Sequence, residues 1–379
     1  MGIAGLASKE GTTRFMERFP VALEKASYRR FRKMRPSSVG IGTYLGQPTA
    51  EDDAAYTASL ARALALGCNV IDTAIVYRHM RSERVVGKVI QDAIAAQKIA
   101  RDEILVCTKG GYFSYDADSG IPAEQYFQKH FISSGLASET DVALQHSLRP
   151  EFIKHQLNQS LTNLGLDSVD IYYLHNPETQ LERVGRAAFL EQLAAAFTVL
   201  EEAASAGKIG CYGLATWAGF RVADDNPSYL SVEEVVKVAQ KVGGENHHFG
   251  AIQLPLNLSK TEGVALNKQT VKGKTSKVSV TAAAAEHRIG IFASATLDQG
   301  KLTKFIPPLV KQHFRKLEND TQVAVQFARS CTGVVSALVG MKTLSHVDEA
   351  LGIFNANPES PENFIRLFES PDRSLVTNR

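Results

Sequence analysis

Eight short apolar runs recur along this chain, and nearly all are followed by a stretch with helical periodicity. That alternation restricts the fold sharply, because parallel strands joined by helices must be covered on both faces. The runs occupy residues 39–43, 67–72, 104–109, 169–175, 209–215, 249–256, 290–295 and 334–339. Helical patterns fill 51–66, 82–96, 150–164, 186–206 and 232–242, a stretch ending near Ser330, and 345–354. Eight such units predict an α/β protein built as a closed (β/α)8 TIM barrel rather than a doubly wound sheet, and 379 residues suit one barrel. The barrel is expected over 38–355, with a long loop at 112–148, read as substrate-defining or as a peripheral subdomain with its own small core, and a mobile, exposed inserted loop at 257–277. Residues 1–37 read as an irregular extension or a hairpin plugging the barrel, and 356–379 as a loosely docked tail.

Three of the runs end on an ionisable side chain. The second finishes at Asp72, the third at Lys109 and the fourth at His175, while Tyr77 follows Asp72 by five residues. The carboxyl edge of parallel strands is where ligands bind, so these four side chains are expected to converge into a proton-donating site. A free phenol titrates near 10 and parts with its proton reluctantly; an adjacent ammonium lowers that value. Lys109 is the expected ammonium, and Asp72 the counter-ion that keeps it charged. His175 is expected to hydrogen-bond the same substrate oxygen as Tyr77 without having to titrate.

With their surroundings these residues resemble the aldo-keto reductase family. The motifs are Gly42-Thr43-Tyr44, Ile71-Asp72-Thr73-Ala74 with Tyr77, Thr108-Lys109-Gly110-Gly111, Ser160-Leu161 with Leu164-Gly165, and Asp170-Ile171-Tyr172-Tyr173-Leu174-His175. A weaker likeness covers Val335 to Glu349. The resemblance implies a nicotinamide cofactor, NADP(H) with NAD(H) as the alternative, and Tyr77 as general acid or base toward an aldehyde, ketone or sugar hydroxyl. It assigns the catalytic roles to Asp72, Tyr77, Lys109 and His175. It gives cofactor contacts to Thr43, Thr216, Gln253, Leu297, Gln299, Gly300, Gly340, Lys342, Thr343, His346 and Glu349. Lys342, Thr343 and His346 fall where the family meets the ribose phosphate, which favours NADP(H). Tyr44, Tyr112, Phe113 and Trp217 are the expected substrate wall.

Three positions depart from the family pattern. Ala215-Thr216 stand where Ser-Asn usually holds the carboxamide, Ser294 where a ring usually stacks on the nicotinamide, and Ala350 where Asn usually touches adenine. Two other functions therefore stand beside the reductase: a cofactor-binding regulatory subunit with vestigial turnover, and an epimerase or lyase using the cofactor transiently.

Other chemistries find little support. A net charge of +2 with interspersed signs gives no nucleic-acid face. Cys68, Cys107, Cys211 and Cys331 are too far apart for metal-ligand pairs and read as buried thiols. The histidines show no ligand spacing, so no metal is expected. Gly40-x-Gly42-x-x-x-Gly46 has its last glycine one place late for a dinucleotide fingerprint, and Gly273-Lys274-Thr275 lacks the leading glycine of a phosphate loop. No run could cross a bilayer and no export signal opens the chain, so a cytoplasmic location is expected. The partner is a small molecule, and oligomeric state is left open.

Overall fold

The computed structural model describes residues 2–314 and 317–369. Its eight strands are β1 (Val39–Gly42), β2 (Val70–Asp72), β3 (Leu105–Gly110), β4 (Val169–His175), β5 (Ile209–Ala215), β6 (Phe249–Pro255), β7 (Gly290–Ser294) and β8 (Val334–Gly340). All pair in parallel with their sequence neighbours, and β8 returns to β1 with Val39 opposite Ala337 and Gly42 opposite Gly340. The protein is a TIM barrel.

Strand pleating sorts each side chain inward or outward. On β3, Leu105 and Cys107 face the interior cluster with Val70, Ile171, Tyr173, Cys211, Ala251 and Phe292, whereas Val106 packs outward with the helices. Continuing that alternation to the carboxyl edge turns Asp72, Lys109, His175 and Gln253 inward, each two or four residues beyond an interior residue of its own strand. The apolar runs that make the core thus also aim the polar groups at its rim.

The barrel bottom is closed by the amino-terminal segment. Bridges Tyr28↔Ser37 and Phe31↔Met34 fold a hairpin, and Phe31, 3% exposed, meets Phe292 edge-on with ring centroids 5.4 Å apart. Gly290 is required beneath it, since an added Cβ would lie 2.5 Å from the Phe31 ring. Before the hairpin, helices run over Lys9–Glu17 and Pro20–Glu24 where the sequence reads as irregular. The first is started by the Ser8 hydroxyl, which accepts from Gly11 N at 2.8 Å. Its buried side is only Gly11, Thr12 and Phe15, too sparse a stripe to register as periodicity.

The segment 112–148 takes the second of its two readings, and the inserted loop and the tail differ from expectation. Residues 112–148 contain short helices at Ala123–Phe127 and Glu139–Ala143 and an aromatic core of their own, in which Phe113 packs on Phe131 and Phe152 at 5.2 and 4.6 Å. The segment 257–277, read as mobile, is pinned by a Gln269↔Val278 bridge and by the buried Gln269 amide, which accepts from Val232 N and donates to Leu230 O. Only 272–277 are continuously exposed. In the tail a helix covers Pro361–Glu369, its Phe364 buried against Phe327 at 5.2 Å, so it is docked up to that point; residues 370–379 lie outside the described residues. All four cysteines are buried and free.

Replacing Phe31 by Ala removes the barrel plug and opens a cavity under Phe292. Unfolding free energy should fall by about 3–5 kcal/mol in denaturant titration, with far-UV circular dichroism of the folded state unchanged. A loss well under about 1 kcal/mol would show the hairpin to be dispensable.

Candidate functional site

At the carboxyl mouth, Lys109 is fully buried and uses all three of its donors. Its Nζ donates to Asp72 Oδ2 at 2.7 Å, to the Thr73 carbonyl at 2.8 Å and to the Tyr77 hydroxyl at 3.2 Å. The other Asp72 oxygen accepts from the Gln253 amide at 2.8 Å. Because the Tyr77 oxygen accepts from the ammonium, its own hydrogen is left to donate elsewhere. The His175 ring stands edge-on to Tyr77 with centroids 5.9 Å apart, and Tyr44 closes the other side at 5.2 Å. The three ionisable residues singled out at the strand ends and Tyr77 therefore share one site.

The electrostatics correct one expectation. Burial dominates at Tyr77 and raises its pKa above the usual 10; Lys109 pulls it down but Asp72 pushes it back up. The ammonium thus limits the rise rather than producing a net fall. Burial also works against the charge on Lys109, yet Asp72 and Tyr77 outweigh it and hold the amine protonated more firmly than a free lysine. At His175 burial, reinforced by the Lys109 charge, keeps the imidazole neutral.

Around this group Tyr112 stands edge-on to His175 at 5.1 Å and accepts through its hydroxyl from the Asn176 amide at 3.1 Å. Trp217 is 47% and Tyr44 61% exposed, so both present ring surface at the mouth. Phe113 does not join them: it is 4% exposed inside the loop's own aromatic core, because the chain reverses the side-chain direction between Tyr112 and Phe113.

The remaining positions form an arc from β5 round to β1. Thr216, just past β5, is buried, and its hydroxyl finds no partner among the described residues. Gln253 is committed to Asp72. Leu297, Gln299 and Gly300 lie in the turn after β7, where Gln299 and Gly300 adopt left-handed φ of 56° and 84°. Lys260 grips Asp298 across this turn. Gly340 ends β8, and Thr343 caps the helix Leu344–Leu351 by accepting from His346 N at 3.4 Å. Lys342 donates to Asp52 Oδ1 at 2.7 Å. Thr43 is buried at the end of β1 and donates through both N and Oγ1 to the Asp72 carbonyl, at 3.1 and 3.2 Å. Glu349 is exposed and accepts from Thr321 at 3.4 Å, and Ala350 is wholly buried. Ser294 is half-buried at the end of β7 and supplies no ring.

Sequence reasoning missed two supports. His146 donates from Nε2 to the His175 carbonyl at 2.8 Å while Gln180 donates to its Nδ1 at 3.1 Å, which fixes the tautomer; burial lowers its pKa to about 4. Glu178, 4% exposed, accepts with one oxygen from the backbone N–H groups of Trp217, Ala218 and Gly219 at 2.7, 2.9 and 3.3 Å, and so ties the β4 and β5 loops together. Glu178 could have been found, since it follows His175 by three residues at a strand end. Nothing local marks His146.

Among the described residues no group of His, Cys, Asp and Glu could hold a metal ion, and no helix is long and apolar enough to cross a membrane.

Comparison with known proteins agrees with this architecture. The sequence profile of the Aldo/keto reductase family matches residues 38–235, a little over half of the chain. The chain is 32% identical over 149 residues to the NADH-specific methylglyoxal reductase of Escherichia coli (strain K12), covering 39% of this chain and 37% of that protein. It is 30% identical over 169 residues to the D-threo-aldose 1-dehydrogenase of a Pseudomonas species, covering 43% and 44%. It thus spans less than half the length of either relative. An aldo/keto reductase of Klebsiella pneumoniae, solved with NADP and acetate, superposes with a TM-score of 0.60 over 93% of this chain and 96% of that one, at 18% identity, a likeness of fold. By the profile match the chain belongs to the aldo/keto reductase family.

Proposed function

We propose that this protein is an NAD(P)H-dependent oxidoreductase that interconverts a carbonyl and an alcohol, with Tyr77 as the general acid and base. The observation that carries the reading is the single buried ammonium that donates at once to Asp72 and to the Tyr77 hydroxyl. A phenol so held is a proton donor whose conjugate base has a cation waiting 3.2 Å away.

The site fits a nicotinamide nucleotide at both ends. The buried, partnerless Thr216 hydroxyl offers a hydrogen bond beside Gln253, suited to a carboxamide, and Lys342 with the Thr343-capped helix start suits a phosphate. Thr216, Gln253, the turn Leu297–Gly300, Gly340, Lys342, Thr343, His346 and Glu349 would hold it, with Thr43 shaping the floor. When bound, the nicotinamide supplies or accepts the hydride.

Tyr77 then gives its proton to the substrate oxygen as the carbonyl carbon receives hydride, so that C=O becomes CH–OH. The resulting phenolate accepts from Lys109, whose charge Asp72 preserves, and regains a proton through the open mouth. Neutral His175 donates to the same oxygen and orients it; charging it beside Lys109 would add repulsion in a buried place. Tyr44, Tyr112 and Trp217 form the substrate wall, with apolar faces for the substrate body and the Tyr112 hydroxyl for a polar substituent. The names of the two partial relatives, a methylglyoxal reductase and an aldose dehydrogenase, are consistent with small oxygenated carbonyls.

Replacing Tyr77 by Phe should lower kcat for carbonyl reduction by about 10²- to 10⁴-fold with nucleotide affinity within about twofold of wild type. Absorbance at the nicotinamide band follows the former and fluorescence titration the latter. Retention of more than about a tenth of the rate would remove Tyr77 from the proton transfer.

The pH profile of reduction gives a second check. Reduction needs Tyr77 protonated and His175 neutral; the raised pKa of the first extends its competent range upward, and the depressed pKa of the second extends its range downward. kcat/KM should therefore stay flat from about pH 6.5 to about pH 9, where an ordinary histidine and tyrosine already begin to titrate, and fall only as pH rises further. An alkaline limb centred below about pH 8 would contradict the burial argument.

A further inference from the structure

We propose that Asp52 sets the cofactor preference of this site: by occupying Lys342 it weakens that lysine's hold on a ribose 2′-phosphate and lets the chain take NADH beside NADPH. The inference rests on the nucleotide reading above and deepens it.

Phosphate sites in barrels of this kind are commonly built from the loops after β7 and β8 with the start of a short helix. Here that place is Met341–Thr343 leading into Leu344–Leu351, and its cation is Lys342. The lysine is already engaged, its Nζ 2.7 Å from Asp52 Oδ1. Asp52 is not a swinging surface carboxylate. It sits in the first turn of the helix Ala50–Ala65, its other oxygen accepts from Gln47 N at 2.5 Å, and its own N donates to the Thr49 hydroxyl at 3.3 Å. Gly46 is pressed against it so closely that a Cβ there would meet its oxygen at 2.5 Å. The Asp52 side chain is 14% exposed and that of Lys342 34%, so the pair is partly shielded from water. The Lys342 bond and the Gln47 N–H hold the carboxyl below its usual range, which keeps the charge in place at neutral pH.

A 2′-phosphate brings close to two negative charges, whereas the 2′-hydroxyl of NADH brings none. To reach Lys342 the phosphate must either share the ammonium with a carboxylate a few ångströms away or displace it from its cap. The hydroxyl meets neither penalty and can itself donate to Asp52. Neighbouring charges relieve the repulsion only in part: Arg78 favours the Asp52 carboxylate through its charge, but it and Arg81 are held by Asp53, Arg62 is paired with Asp348, and Glu51 adds a further carboxylate to the same turn. The lysine that by residue type favours NADPH is thus offset by an acid fixed against it.

The test is nucleotide binding by titration calorimetry at two salt concentrations, on wild type, Asp52→Asn, Lys342→Gln and the double variant, with melting curves to confirm folding. Asparagine keeps the acceptor for Gln47 N while removing the charge and the oxygen that accepts from Lys342. Asp52→Asn should tighten NADPH about tenfold and change NADH less than about twofold, and added salt should erode the gain. Lys342→Gln should abolish the gain in the double variant. Unchanged or weaker NADPH binding in Asp52→Asn, or a gain that survives Lys342→Gln, would overturn the proposal and leave the hydride-transfer reading standing. Failure of wild type to bind either nucleotide would sink both.

Discussion

The site depends on keeping one ammonium charged inside the barrel. A buried lysine without a partner would shed its proton, and the cost of desolvation is offset only where geometry is good and every donor is used. Lys109 meets both conditions with Asp72, the Thr73 carbonyl and Tyr77. Each partner comes from β2 or the turn after it, so the register Asp72↔Cys107 between β2 and β3 fixes the whole arrangement. A slip of one residue would turn Asp72 outward among the helices and leave Lys109 uncompensated.

The outward side of the same strand is organised as tightly. Thr108, next to Lys109 but facing the helices, donates to buried Glu83 Oε1 at 2.6 Å, and Asn163 donates to Glu83 Oε2 at 2.8 Å. Gln156 accepts from Gly111 N at 2.7 Å and donates to the Tyr112 carbonyl at 2.7 Å, which orients the exit of β3 and the start of the long loop. Gly111 has no room for a side chain there, at φ 129° with a Cβ position 3.0 Å from His146. The long loop, the ammonium strand and the His175 carbonyl are thereby coupled through a few buried hydrogen bonds.

Much of this was legible because the barrel writes itself in two periods. Strands buried on both faces read as apolar runs, and their polar ends stand out because a charge closing such a run has few structural reasons to be there. Segments whose order comes from contacts far away in sequence were not legible. The helix Lys9–Glu17 has a thin buried stripe, and Glu178–Val184 is short and carries a buried carboxylate and glutamine on its inner side. Phe113 was misread for the same reason: an aromatic-rich loop looks alike whether its rings line a pocket or pack on one another. The net upward shift at Tyr77 was beyond sequence too, since it depends on how much water the folded mouth excludes.

The placement of Tyr77 shows how local strain is put to use. The phenol is not on a strand; it stands on the turn after β2, and the next three residues, Arg78, His79 and Met80, all adopt left-handed φ of 47°, 50° and 73°. Each such residue is disfavoured by about 1 kcal/mol or more, so a run of three requires compensation. Arg78 supplies part of it: its guanidinium donates to Ser82 and Asp53 at 3.0 and 2.5 Å and lies 4.7 Å from the Tyr56 ring centroid. His79 stacks on Tyr115 at 4.1 Å, and Arg81 and Arg84 bind Asp116 and Asp118 of the long loop. Asp72 and Lys109 are positioned by the sheet and need no such help. Tyr77 has to leave the sheet to reach the mouth, and the charged girdle around residues 78–84 is what fixes that departure in one conformation.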